Sequence, residues 1–469
     1  MPTVRDDVVD TLRSVFGHPG FRSGQAEIVD HVLDGNHALV LMPTGGGKSL
    51  CYQLPALVMD GLTLVLSPLI ALMKDQVDSL KARGVDAEYV NSSIGRRERE
   101  ARYAAIAEGR YRLLYVTPER FRKDEFLEVL SRRKVSLLAV DEAHCVSEWG
   151  HDFRPDYTRV GEIRSLIGDP TTIALTATAT PEVQRDILRQ LGLSPGEMRT
   201  FAHGIERPNL KLEVEDVWGP DEKLDHIERI REACPGSGIV YFALIKTLDE
   251  FGDRLRKRGV RHVRYNGKLE TGERRRIQDA FMSGGKPLVL ATNAFGMGVD
   301  KEDIRYVIHA EVPGSMESYY QEIGRSGRDG EPSVCSLLYD QRDLEIQMRF
   351  IQWSNPGADY YGRLHQIIAE RPEEANAFGL EWLRERMHRK DRGNRTLETA
   401  LGMLARWGAT EGDLETKDLA ATGALPAQLA DDARLAEKLR RDREKLYALV
   451  QYVKEEGDRK AFIARYFGL

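Results

Sequence analysis

The chain has 469 residues, 41% hydrophobic and 30% charged, with a formal net charge of −6. That length accommodates roughly two to four domains with cores of their own, while the apolar runs are too short or too broken by Pro to span a bilayer. The acidic balance gives no global basic signature, so any nucleic-acid partner needs a local positive track.

The N-terminus lacks a basic stretch followed by an apolar one, so no secretory leader is expected and a cytoplasmic location is, nucleoid-associated if the source is bacterial. Cys51, Cys145, Cys234 and Cys335 stand at least 89 positions apart. That spacing suits neither a disulfide framework nor a zinc knuckle, and reduced thiols without structural zinc are expected.

From about residue 36 to 200, short β-branched runs alternate with helix-like segments: "HALVLM", "LTLVLS", "AEYV", "RLLYVT", "SLLAVDE" and "TIALTAT". The rhythm restarts after "ERPNL" with "KLEVEDV", "GIVYF", "VRYN", "PLVLAT", "IRYVIHA" and "SVCSLLY". Such alternation predicts βαβ units around parallel sheets, hence an α/β fold with two such domains, 1–205 and 206–340. Beyond 340 the patterning becomes amphipathic and helical, in "RDLEIQMRFIQW", "YYGRLHQIIAE", "FGLEWLRERMHRK" and "TLETALGMLARWG", with a final helix over roughly 426–456. Residues 341–469 are therefore expected to form a mostly helical C-terminal region.

"LVLMPTGGGKSLCYQL" places a strand, a Gly-rich turn, Lys48–Ser49 and a helix in succession. Glycines at such a turn let backbone N–H groups close around phosphate oxygens at a helix N-terminus. Thr44, Gly45, Gly46, Gly47, Lys48 and Ser49 are thus candidate ATP-binding residues, Lys48 reaching the β/γ-phosphates and Ser49 ligating Mg²⁺. Met42 stands where the strict pattern has Gly. "LLAVDEAH" ends a strand in Asp141, a second candidate Mg²⁺ ligand, and Glu142, placed to polarise an attacking water. Alone this pair reads as ordinary solvated acids; about 93 positions after a phosphate loop it reads as its partner. In "YYQEIGRSGRDG", Arg325 and Arg328 have the spacing of one helical face and read either as a surface pair or as arginine fingers for a neighbouring phosphate site.

In their order, "FRSGQ" (21–25), "MPTGGGKS" (42–49), "SPLIALMKDQV" (67–77), "TPER" (117–120), "DEAHCVSEWGHDFRPDY" (141–157), "ALTATA" (174–179), "ATNAFGMGVDK" (291–301) and "YYQEIGRSGRDG" (319–330) resemble the RecQ family of superfamily-two DNA helicases. The run "WGHDFRPDY" is the most specific. The resemblance implies two RecA-like domains, ATP with Mg²⁺, single-stranded and forked DNA as partners, and 3′→5′ unwinding. It implies that Arg22 and Gln25 recognise adenine and that His18 stacks on it. Ser67, Pro68, Thr117, Arg120 and Thr292 fall in motifs that track the DNA backbone. Trp149, Phe153 and Arg154 belong to an aromatic-rich loop that couples hydrolysis to single-stranded DNA, in keeping with the sequence tolerance of base–aromatic stacking. Gly296 and Gly298 allow close backbone approach.

The family usually follows its motor with a zinc module on four clustered cysteines, and none lies after Cys335. Segments 359–370, 379–390 and 396–407 with "GATEGDLET" fit either a winged helix or a plain helical module. Their basic stretch (Arg384, Arg386, Arg389, Lys390, Arg392 and Arg395 against Glu385 and Asp391, net +4) suits a phosphate-contacting face. The alternatives to a DNA helicase are a DNA-stimulated translocase or annealing factor with little unwinding, an RNA-remodelling helicase, and a scaffold with a decayed ATP site. The sequence names no protein partner.

Overall fold

The computed structural model describes every residue except 1–4, 44, 69, 92–93, 148–154, 204–206, 286, 297–298, 300 and 388–393. Each of the twelve apolar runs forms a strand. In the first lobe these are β1 (His37–Leu41), β2 (Leu62–Leu66), β3 (Ala87–Val90), β4 (Leu113–Val116), β5 (Val135–Val140) and β6 (Thr171–Thr176), joined by an unanticipated β7 (Met198–Ala202). They pair in parallel in the order β3-β4-β2-β5-β6-β1-β7. Both faces of the sheet are covered. Leu62, Leu64 and Leu66 enter one apolar cluster and Val65 the other, the period-two division expected of a doubly covered sheet.

The second lobe holds β8 (Leu210–Asp216), β9 (Ser237–Tyr241), β10 (Val263–Tyr265), β11 (Leu288–Ala291), β12 (Ile304–His309) and β13 (Ser333–Tyr339). All are parallel, in the order β10-β11-β9-β12-β13-β8. In such sheets ligands gather outside the carboxyl ends of the strands. The phosphate-loop and acidic motifs both follow those ends.

Residues 1–313, 317–340 and 455–469 form one compact unit, and 314–316 with 341–454 a second. The second contains helices Leu344–Trp353, Ala358–Glu370, Pro372–Arg386 and Thr396–Arg406, then a short antiparallel pair, β14 (Thr410–Glu411) with β15 (Ala420–Ala421). Its core includes Tyr361, Leu364, Ile368, Leu383, Leu397 and Leu404. The third helix starts earlier than its apolar pattern, because Pro372 opens it, and it kinks at Gly379, where φ is 68°. Of the stretch expected to face phosphates, Arg389, Lys390 and Arg392 lie outside the described residues. Arg384 is only 8% exposed and ion-paired with Glu398, so its charge is spent internally. Arg386 lies over the Trp382 ring.

The expected final helix is Ala427–Ala430 followed by Asp432–Val453, the latter capped by the Asp431 carboxylate, which accepts from the Ala433 and Arg434 N–H groups. One more helix, Arg459–Phe467, belongs to the first unit. It touches both lobes. Gln184 Nε2 donates to the Phe467 carbonyl (3.2 Å), the Phe467 ring packs on Tyr320 (5.3 Å), and the Tyr466 hydroxyl donates to buried Glu317 (2.9 Å). Lys460 Nζ donates to the Pro208 carbonyl between the lobes.

Candidate nucleotide site

A cleft of about 710 Å³ is lined from the first lobe by His18, Arg22, Gln25, Lys48, Asp141 and Glu142, and from the second by Asn293, Gly296, Arg325 and Arg328. The loop after β1 leads into helix Leu50–Val58, whose first N–H groups fold back onto the loop carbonyls of Gly47, Lys48 and Ser49. Its first turn carries no acidic residue, so its positive dipole end faces an anion without a competing carboxylate. Gly45 and Gly47 adopt φ of 80° and 82°. A Cβ at Gly47 would strike the Gln25 amide, and one at Gly45 would lie 2.8 Å from Arg328 Cδ. Lys48 Nζ donates to the Met42 carbonyl at 3.3 Å, so the loop closes without a glycine at 42.

Gln25, only 2% exposed, accepts from the Arg22 N–H (2.8 Å), and its Nε2 donates to the carbonyls of Gly47 (3.2 Å) and Gly46 (3.4 Å). Arg22 also donates from its guanidinium to the Gly45 carbonyl (2.6 Å). Both residues therefore brace the phosphate loop itself, a role the sequence did not suggest. Exposed His18 lies at the mouth of the same cleft. Thr44 lies outside the described residues.

Asp141 directly follows β5, 7% exposed, its N–H bonded to the Leu66 carbonyl of β2. Burial, then the neighbouring Glu142 charge, push its carboxyl up to about 7, against the pull of Lys48. Glu142 takes a left-handed φ of 49°, rare for a side chain of this kind and common where function fixes the backbone. Its Oε2 is buried without a hydrogen-bond partner, 3.4 Å from His144 Nδ1. The same His144 nitrogen lies 3.0 Å from Thr176 Oγ1 at the end of β6. Asp141 and Ser49 both line this cleft, and a carboxylate with a hydroxyl is an oxygen-donor set that fits a hard divalent cation such as Mg²⁺. Beneath it, Ser49 bonds the Tyr52 phenol, and Gln53 ties Tyr115 to Gln76.

From the second lobe, helix Met316–Ile323 ends before the two arginines, so they do not share a helical face as their spacing suggested. They sit in consecutive turns shaped by the left-handed Gly327, at φ 56°. Arg325 is 7% exposed and donates to the Gly296 carbonyl while bonding Tyr241. Arg328, half-buried, is the one laid against Gly45. Asn209 and Arg207 hold these turns from outside, and neither stands in a motif read from the sequence.

Among the residues expected on DNA, Ser67 and Thr117 directly follow the neighbouring strands β2 and β4, and Thr292 follows β11. They are 1%, 6% and 6% exposed. Pro68 faces the nucleotide cleft, and Arg120 bonds Tyr103. Trp149, His151, Phe153, Arg154 and Gly298 lie outside the described residues. Buried Tyr157, at the far end of that segment, packs in the first lobe's core.

Residues 22–187 match the DEAD/DEAH box helicase model, and 222–330 the helicase conserved C-terminal domain. The chain is 43% identical, over 78% of its length, to the probable ATP-dependent DNA helicase RecS of Bacillus subtilis, covering 73% of that protein. This chain belongs to the RecQ family of superfamily-two helicases. To the ATP-dependent DNA helicase RecQ of Haemophilus influenzae it is 41% identical, over 78% of its own length and 56% of that relative's. The RecQ-family chain thus spans little more than half of some curated relatives. Its fold is shared with the Mycobacterium smegmatis helicase Lhr, solved with single-stranded DNA and AMP-PNP (TM-score 0.58, 20% identity, 89% of this chain and 60% of that one). Among the described residues no helix is long and apolar enough to cross a membrane.

Proposed function

We propose that this RecQ-family chain hydrolyses ATP with Mg²⁺ and uses the closure of its two lobes to move along single-stranded DNA and unwind duplex in the 3′→5′ direction. The observation that carries the reading is the convergence, in one cleft, of Lys48, Asp141 and Glu142 from the first lobe with Arg328 from the second. Lys48 and the loop N–H groups ahead of helix Leu50–Val58 bind the β/γ-phosphates. Ser49 and Asp141 would hold Mg²⁺, which when bound would neutralise charge on the phosphate oxygens. Glu142, kept poor in hydrogen bonds, orients the attacking water, and Arg328 meets the charge that develops on the transferred phosphoryl group. Arg325, engaged with Gly296 and Tyr241, supports the finger-bearing turns. Arg22, Gln25 and His18 receive the adenine end of the nucleotide, with Gln25 exchanging loop carbonyls for the base.

His144, between Glu142 and Thr176, gives DNA contact in the aromatic loop a route to the water-orienting carboxylate. Trp149, Phe153 and Arg154 are assigned the sensing role there, and Arg120, with the strand ends at buried Ser67, Thr117 and Thr292, the side of the sheets along which the DNA backbone passes. The three domains are assigned to 1–205, 206–340 and 341–469, except that 455–469 returns to the motor's compact unit; the three helices and the β14–β15 pair of the last support a winged-helix reading. A strand-displacement assay on a duplex with a 3′ tail, run beside a 5′-tailed control and ATPase rates on DNA and RNA, tests the proposal. Release from the 3′-tailed substrate alone is expected. DNA-stimulated hydrolysis without release would make the chain a translocase, and preferential stimulation by RNA an RNA remodeller.

A further inference from the structure

Arg207 and Asn209, in a stretch that in the sequence marks only the restart of the strand rhythm, grip the turns that carry Arg325 and Arg328. Arg207 donates from its guanidinium to the carbonyls of Ser326 and Gly327 (2.8 Å each) and of Gly324 (3.4 Å). Asn209 Nδ2 donates to Gly327 (2.8 Å) and Glu331 (3.0 Å). The fit is close. A Cβ at left-handed Gly327 would lie 2.5 Å from Asn209 Nδ2 and 2.8 Å from Ser333 Oγ. Burial pushes the Arg207 pKa down from its usual value, although guanidinium stays charged at any working pH. Three carbonyls converging on one side require a donor with several N–H groups in a fixed fork, which Arg has and Lys lacks.

We infer that Arg207, with Asn209, is a positioning residue for hydrolysis: the stretch joining the two lobes sets the finger Arg328 by holding its turn, so that movement at the junction and placement of the finger are one event. The inference rests on the assignment of Arg328 as the finger. Its alternative is that Arg207 only stabilises the second lobe.

The test is a double-mutant cycle on the full chain, with DNA-stimulated kcat, KM for ATP and thermal melting measured for R207A, R328A and R207A/R328A. R207A is expected to lower kcat about tenfold or more with KM within about twofold of the parent, the pattern of a lost transition-state contact. In the R328A background it should then change kcat by less than about twofold, since it acts only through that side chain. R207K, which keeps the cation and most of the stem, should show the same non-additivity with a smaller loss, and it serves alone if R207A does not fold. Multiplicative losses in the cycle, or an R207A whose kcat equals the parent's, overturn the inference. An R328A with unchanged kcat overturns instead the finger assignment beneath it.

Discussion

Arg328 and Gly45 come from different lobes, 283 positions apart in sequence, yet a methyl group at Gly45 would stand 2.8 Å from Arg328 Cδ. The glycine thus admits the second lobe's cation to the phosphate loop and also supplies the left-handed turn, at φ 80°. Gly45→Ala meets both constraints at once: the backbone conformation alone costs about 1–2 kcal/mol for a side chain, and the finger must withdraw. Arg328→Ala leaves the loop intact. Its expected signature is retained ATP binding with kcat down by about 10³-fold, whereas Gly45→Ala should weaken nucleotide binding as well. Equilibrium binding of a fluorescent ATP analogue beside steady-state kinetics separates the two. Weaker DNA binding with unchanged kcat in Arg328→Ala would move this arginine to the DNA track.

Lys48→Ala and Glu142→Gln should both abolish turnover, for different reasons. The first removes the phosphate cation and with it most affinity for ATP. The second keeps the size of the side chain and its left-handed backbone but loses the charge that orients water, so ATP should remain bound and uncleaved. Rapid filtration with radiolabelled ATP reads the difference, and hydrolysis at the parental rate by Glu142→Gln would remove that residue from the reaction.

Asp141 makes stability depend on pH in a stated direction. Its carboxyl is raised in the fold, so the folded chain binds the proton more tightly than the unfolded one does. The stability linked to it is fully present below the ordinary carboxylate range and is lost as pH rises through the raised value near neutrality. Asp141→Asn stays neutral throughout. Without nucleotide, the variant should melt above the parent at pH 8, with the gap closing towards pH 4. Adding Mg²⁺ and ATP should reverse the order at pH 8, because only the parent keeps the carboxylate ligand. Parallel melting curves across that pH range would count against a raised Asp141.

Trp149→Ala with Phe153→Ala should spare basal hydrolysis, since neither ring belongs to the phosphate site, while stimulation by single-stranded DNA and unwinding collapse together. DNA affinity should fall only modestly, most of it coming from salt-sensitive phosphate contacts. A destabilised variant whose remaining activity still responds fully to DNA would assign the loop a structural role.

Metal analysis of the purified chain should find far less than one zinc per molecule. Cys51, Cys145 and Cys335 are each buried and, like partly buried Cys234, free of disulfides. A stoichiometric zinc resistant to chelators would contradict the expectation drawn from their spacing.

Strands were legible wherever burial on both faces left a continuous apolar run, as in "LTLVL" or "IRYVIH". β7 was not, because "MRTFA" lies at the sheet edge and buries only Met198 and Phe201. The phosphate loop and the acidic pair could be read because local spacing dictates their chemistry. Arg207 could not, since its carbonyl partners lie up to 120 positions away and nothing near it in sequence marks a convergence of acceptors. Helical spacing misled at Arg325 and Arg328 for a related reason: glycines at 324 and 327 end the helix early and turn both side chains into the cleft. Arg384, read as part of a phosphate-facing surface, was taken inward by Glu398, which the composition of its own segment could not reveal.

The helix Arg459–Phe467 gives the second compact unit a topological property. Because the chain leaves the motor after Asp340 and rejoins it at Glu455, the unit between is a loop of polypeptide with both ends moored. A protease that cuts it once severs the covalent path without freeing either fragment. The upstream piece carries the whole of both sheets, and the downstream piece stays clasped through Gln184, Tyr320 and Glu317. Such a nicked molecule would travel as one particle on a sizing column and part only under denaturation.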